Sequence, residues 1–256
     1  MSASLVDTHA HLDDPVLWDQ LQSVLERAQA AGVERVLAVG SDLASSRRAV
    51  EAARQFPIVY AAVGMHPHNA DRFQEEREGI EALLDADKVV AVGEIGLDYF
   101  RGLAGRDVQM DVFETQLRWA RERRLPASVH NRNADEDVLR VMRDSGARVT
   151  LHAFSSTAET ARRAVELGAF ISFAGNVTFP KAGALRDVAR DIPEARLLAE
   201  TDAPVLAPQP RRGRTNEPAF VAHTTQCLAA ARETDVASLA AAIGANAGRL
   251  FRWNCP

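Results

Sequence analysis

Cysteine is almost missing from this chain, with Cys227 and Cys255 its only thiols in 256 residues. Two such residues, one of them next to last, build no disulfide framework, so the fold must rest on a buried core, and a reducing cytosol suits it. Long hydrophobic runs are missing too. No stretch approaches the roughly 20 apolar residues that cross a bilayer, and mean hydropathy is −0.17; no membrane association is expected. The opening Met1-Ser-Ala-Ser-Leu-Val-Asp7 has neither a basic nor an apolar leader segment, which predicts no export and a cytoplasmic location. Basic excess is lacking: 30 Lys and Arg face 35 Asp and Glu, a net charge of −5. That excludes a general nucleic-acid coat protein, whose footprint is basic overall, and leaves room for an enzyme with a local basic patch. No repeat, low-complexity tract or linker interrupts the chain, so a single domain over 1–256 is expected, with no obligate protein partner evident.

What is present is an alternation. Short β-branched runs at 5–12, 35–40, 58–66, 89–97, 127–130, 148–154, 170–174 and 196–202 each precede a segment of helical period. The clearest helices span 107–124, 134–145, 157–167 and 181–190, and two more, 217–232 and 236–252, close the chain. Parallel crossovers take a dozen or more residues, usually helical. Eight units therefore predict an α/β fold, a (β/α)8 TIM barrel, which typically takes about 250 residues; a doubly wound open sheet is the alternative. The barrel is favoured because His9, His11, His66, Glu94, His130, His152 and Asp202 all sit at the C-terminal ends of runs. In a barrel those ends converge on one face, where active sites lie.

Asp7-Thr-His9-Ala-His11 places two imidazoles on one strand face, where they can chelate one ion or simply meet backbone carbonyls. Glu94 ends a buried run, a costly place for a carboxylate unless it is paired or bound to a cation; its two oxygens can bridge two ions. His130 and His152 end successive runs. Asp202 follows the last run, which neighbours the first in a closed barrel, so it can complete a site with His9 and His11. Glu200, two residues earlier, suits the orientation of a ligand histidine better than ligation. Four histidines and two carboxylates exceed one tetrahedral site and suit a binuclear one, in which paired ions support hydrolysis of a phosphodiester, amide, ester or lactone. Such a histidine-rich set suits Zn, Mn, Fe or Co better than Mg.

Other residues carry weaker signals. His66 can reach a substrate phosphate or an ion's water, while His68 lies past a proline and reads equally as a turn residue. Asp98 is a lesser candidate that can cap or pair with an arginine. Arg211, Arg212 and Arg214 in the last loop suit a phosphate backbone or plain solvation. Tyr99 and Phe100 suit base stacking or a lid. His223 reads as surface or packing, and the 121–124 charge cluster as a helix terminus.

The residue blocks 7–13 (DTHAHLD), 64–68 (GMHPH), 93–99 (GEIGLDY), 129–134 (VHNRNA), 175–179 (GNVTF), 200–204 (ETDAP) and 212–218 (RGRTNEP) resemble the TatD family of metal-dependent deoxyribonucleases. The resemblance spans about 5–251. It implies a TIM barrel with two divalent ions (Mg, Mn or Zn) and a metal-activated water. It implies single-stranded DNA as substrate, degraded 3′ to 5′. His9, His11 and Asp202 would hold one ion and His130 and His152 the other, with Glu94 bridging. Asp202 would also position or deprotonate the attacking water, and His66 and Arg132 would lie near the scissile phosphate. The chain departs from the family pattern at Ala153, which is expected to face away from His152 and not to matter, at Ser156, which can reshape the loop over the site, and at Val205 and Arg211, which bear on substrate contacts. An amidohydrolase-type enzyme on a small ester, amide or lactone is the alternative, although such barrels often carry a modified lysine where this chain has Glu94.

Overall fold

The computed structural model describes residues 4–253; the chain's first three residues and Cys255 lie outside the described residues. Eight strands form one sheet in chain order, every neighbouring pair parallel. They are β1 (Leu5–Ala10), β2 (Val33–Val39), β3 (Val59–Val63), β4 (Val89–Asp98), β5 (Ala127–Arg132), β6 (Val149–Leu151), β7 (Phe170–Phe173) and β8 (Leu197–Ala199). Runs such as Val36–Val39 in β2 are apolar without alternation and fully buried. A parallel sheet covered by helices buries both of its faces, and this pattern is the result.

The covering helices are α1 (Pro15–Trp18), α2 (Leu21–Ala30), α3 (Leu43–Gln55), α4 (Phe73–Leu83), α5 (Arg106–Arg123), α6 (Asp135–Ser145), α7 (Ala158–Glu166), α8 (Gly183–Asp191), α9 (Val221–Ala231) and α10 (Val236–Phe251). Several starts are written locally: Asp42, Thr157 and Asp235 each accept a backbone N–H from three residues on, satisfying a donor the helix leaves free. No helix among the described residues is long and apolar enough to cross a membrane.

Closure joins the chain beyond β8 to β1. Asp202 N donates to the His9 carbonyl (2.9 Å), His11 N donates to the Ala203 carbonyl (2.7 Å), and Ala10 and Ala203 form a parallel bridge. Asp7 secures the seam from inside. Its two oxygens accept from Thr201 N (2.8 Å) and Thr201 Oγ1 (2.6 Å). Burial pushes the Asp7 carboxyl up to about 8, against the lowering effect of those bonds. Asp7→Ala would leave the Thr201 N–H and O–H donors without their acceptor in a dry interior, although Thr201 Oγ1 still accepts from Ala203 N (3.2 Å), so urea unfolding is expected to show a loss of about 2–4 kcal/mol. A loss under about 0.5 kcal/mol would contradict this account of the seam.

Six strands end earlier than their sequence runs, while β4 and β5 run on to Asp98 and Arg132. β3, β6 and β8 stop at Val63, Leu151 and Ala199, so His66, His152 and Asp202 lie just past strand ends. Asp202 has φ +56°, which a strand cannot continue. The expected 217–232 helix begins with a 3-10 turn at Pro218–Phe220 before α9. The C-terminal ends nevertheless converge, as expected of a barrel.

Candidate metal centre

Five histidines surround one carboxylate at the barrel mouth. Glu94, 2% exposed, projects from β4. Its Oε2 lies 3.5 Å from His9 Nε2 and 3.3 Å from His11 Nε2. Its Oε1 lies 2.9 Å from His130 Nδ1, 2.7 Å from His152 Nε2 and 3.2 Å from His66 Nε2. Asp202 Oδ1 stands 3.8 Å from His9 Nε2 and 3.7 Å from His11 Nε2. Gly96 lets β4 and β5 approach here. It has φ +135°, and a Cβ would fall 2.1 Å from the His130 carbonyl, so a side chain would displace the strand carrying His130.

The outer ring nitrogens decide which inner ones have free lone pairs. His11 Nδ1 donates to the Val39 carbonyl (3.1 Å), His130 Nε2 to Asp98 Oδ2 (3.3 Å) and His152 Nδ1 to Glu200 Oε1 (3.3 Å). His9 Nδ1 meets Ser128 Oγ at 3.1 Å. The carbonyl and carboxylate partners of His11, His130 and His152 can only accept, so each leaves the other ring nitrogen facing inward as a base, as in metal-ligating histidines, while the Ser128 hydroxyl orients the His9 ring. His66 is the reverse: its Nδ1 accepts from His68 N (3.0 Å), so in the neutral ring Nε2 carries the hydrogen. His66, Glu94 and His130 lie close enough together to hold an ion, yet this tautomer makes His66 a donor rather than a ligand.

The spacing fits an ion as well. His9 Nε2 and His11 Nε2 are 3.4 Å apart, close to the edge of about 3.3 Å in a tetrahedron of 2.0–2.1 Å bonds. Two inward lone pairs at that distance repel unless a cation or proton lies between them. His9, His11 and Glu94 form one candidate ligand group, and His9, His152 and Asp202 another.

Charge in the cluster is shared unevenly. Burial opposes ionisation of Glu94, but His152, His66 and the bonds from His11 and His130 hold its carboxyl well below the usual range. Burial also opposes the charging of His11, yet Glu94 and Asp202 raise it to about 9. His130 is likewise raised against burial, by Asp98 and Glu94, and His152 well above its ordinary value by Glu94 and Glu200. Burial lowers His9 and His66 to about 4 and raises Asp202 to about 6. Ligation needs these rings neutral, so an arriving ion must displace protons. Because the relevant values are raised, affinity should climb with pH up to about 9, by about tenfold per unit for each proton displaced. Calorimetry in buffers of different ionisation enthalpy should detect the released protons; none released would count against ligation by these rings.

The cluster floors a cleft of about 1320 Å³ also lined by Asp13, His68, Asn131 and Arg132. Of the weaker candidates, Asp98 pairs with histidines rather than arginine, accepting from His68 Nε2 (2.7 Å) as well as His130. Ala153 lines the cleft where φ +41° turns the chain, and its N–H donates to Glu200 Oε1 (2.7 Å). Ser156 reaches Asp135 Oδ2 (2.5 Å), tying its loop to α6. Tyr99 is committed to Asp137 (2.9 Å), while Phe100 is exposed beneath the Arg132 guanidinium. Arg211, Arg212 and Arg214 are not among the cleft-lining residues; Arg211 packs over Phe220 and Arg212 over Phe179. His223 lies by Phe220, away from the cleft. Ser128 and the Val39 carbonyl gave no sequence signal, since neither type suggests a site.

The sequence-family profile described as "TatD related DNase" matches residues 6–252. The Bacillus subtilis protein named as the metal-dependent hydrolase YabD is 41% identical over 254 residues, covering 98% of this chain and 100% of its own. A Citrobacter rodentium protein named "3'-5' ssDNA/RNA exonuclease TatD" is 38% identical, covering 89% of this chain and 90% of its own. The crystal structure of YjjV, a TatD homologue from Escherichia coli K12, superposes with a TM-score of 0.94 at 30% identity, covering 99% of this chain and all of that one. This chain belongs to the TatD family of metal-dependent hydrolases.

Proposed function

We propose that the protein is a 3′–5′ exonuclease that hydrolyses phosphodiesters of single-stranded DNA with two divalent ions. One observation carries the binuclear reading: the two oxygens of Glu94 face different ligand groups, His9 and His11 with Asp202 nearby on one side, and His130 with His152 on the other. A bridging carboxylate would sit this way. When bound, paired ions supply a more acidic water and neutralise charge on the reacting phosphate. Histidine donors favour Mn or Zn over Mg.

The chain's own groups do the rest. Asp202, raised by burial toward neutrality, is suited to accept the proton of the attacking water. The His66 Nε2 hydrogen can be offered to a phosphate oxygen. Asp98 and Glu200 hold the His130 and His152 rings. Arg132 has no ion-pair partner among the described residues and lies at the cleft. At the mouth, Phe100 (60%), Leu103 (61%) and Val205 (54%) are unusually exposed for apolar side chains. Unpaired bases offer faces that such a rim can cover, and the relative named for ssDNA and RNA supports the same substrate class. A cytoplasmic location, as expected from the sequence, is part of the same proposal.

The test is a 5′-labelled single-stranded oligonucleotide incubated with Mn²⁺, with and without EDTA. A ladder shortening from the 3′ end and abolished by EDTA is expected. An intact oligonucleotide with every divalent ion, alongside turnover of an ester or lactone panel, would replace this reading with the amidohydrolase one.

A further inference from the structure

A second pocket of about 630 Å³ opens beside the metal cleft, between the loop before α7 and the α8 region. The two cavities share Ser155, Ser156 and Asn176 as lining residues, so they adjoin. At the junction, Asn176 Oδ1 is buried without a hydrogen-bond partner. An acceptor left this way costs free energy until a donor reaches it. Beyond it the ring of Phe179 lines the pocket, with the Arg212 guanidinium stacked over it at 4.4 Å. Lys181 stands on the same wall. Neither the Lys181 ammonium nor the Arg212 guanidinium has a hydrogen-bond or ion-pair partner among the described residues. The far end is acidic, with Asp187 and Asp191, and Asp187 is neutralised by Arg190 at 3.0 Å.

We infer that this pocket is a nucleotide subsite, which takes one base of the single strand whose neighbouring phosphate is cleaved in the metal cleft. The inference rests on the nuclease reading and extends it to a second position along the strand. The aromatic ring offers a face to any base, as sequence-tolerant strand binders do. Lys181 on the pocket wall and Arg212 over the Phe179 ring supply positive charge for the sugar-phosphate chain. Asp191, the far-end carboxylate without an ion-pair partner among the described residues, repels phosphate, so the base enters and the backbone stays at the Lys181 and Arg212 end. This gives Arg212 its role outside the cleft proper.

The experiment compares Phe179→Ala and Arg212→Ala with the wild-type holoenzyme in Mn²⁺. For each protein, kcat/KM is measured for the tetranucleotide dT4 and for bis(p-nitrophenyl) phosphate, which is too small to span both cavities. The ratio of the two is expected to fall about tenfold in Phe179→Ala, since stacking is worth roughly 1–3 kcal/mol per base and 1.4 kcal/mol is tenfold, and at least threefold in Arg212→Ala. A fall of less than threefold in folded variants overturns the subsite alone. Should Phe179→Ala fail to fold, the exposed Arg212 variant decides. Wild-type protein that hydrolyses the small diester and leaves dT4 intact overturns the nuclease reading, and the subsite with it. An abasic scan of dT4 separates stacking from a structural effect: one abasic position should cost the wild type and not Phe179→Ala. Equal costs in both proteins at every position overturn stacking.

Discussion

Glu94→Gln protein is expected to lose at least about a thousandfold in phosphodiester turnover, some 4 kcal/mol of barrier. Glu94 is the one carboxylate within reach of all five site histidines, using one oxygen toward His9 and His11 and the other toward His66, His130 and His152. An amide keeps one acceptor and turns the other end into a donor aimed at inward lone pairs. One ligand group is therefore lost outright. Metal content should fall with activity, which separates this outcome from simple misfolding, where far-ultraviolet dichroism would change first. A second signature follows from linkage. The Glu94 carboxyl is held below its ordinary value, so its contribution to stability is full above about pH 4.3 and fades as pH falls through the lower folded value. The glutamine variant should lack that part of the acid response. Retention of more than a tenth of wild-type turnover would contradict the bridging role.

Asp202→Asn is expected to separate metal binding from chemistry. Asp202 stands farther from the histidines, at 3.7–3.8 Å, than Glu94 does, and its backbone is fixed by the bond to the His9 carbonyl. Asparagine keeps one oxygen for an ion and loses the base. Turnover should drop by about 10²–10⁴, the usual yield of a positioned general base, while KM changes little and at least one ion per chain remains. Equal losses in kcat and metal content would show Asp202 to be a ligand alone.

Much of this site was legible because a parallel barrel gathers chemistry toward the C-terminal ends of its strands, and His9, His11 and His130 lie within two residues of such ends, with Glu94 in the C-terminal half of β4. The seam was legible only in outline. Asp7 and Thr201 are 194 positions apart, and nothing local marks them as partners; barrel closure alone brings them together. The same holds for the chain from His68 through Asp98 to His130, which joins three loops and strands around the mouth. His68 follows a proline and reads as a turn residue until the 3-10 turn at Pro67–Arg72 swings its ring onto Asp98. Ring tautomers were out of reach for a similar reason: they depend on a Val39 carbonyl and a Ser128 hydroxyl supplied by other strands. The arginines of the last loop were legible as charge but not as position. Arg211 and Arg212 each settle on a phenylalanine, and where those rings lie is a packing outcome.

The central claim is a two-ion centre organised by Glu94, and elemental analysis tests it most directly. Wild-type protein reconstituted with Mn²⁺ and freed of excess should hold two ions per chain; less than one per chain under saturating conditions would contradict the account.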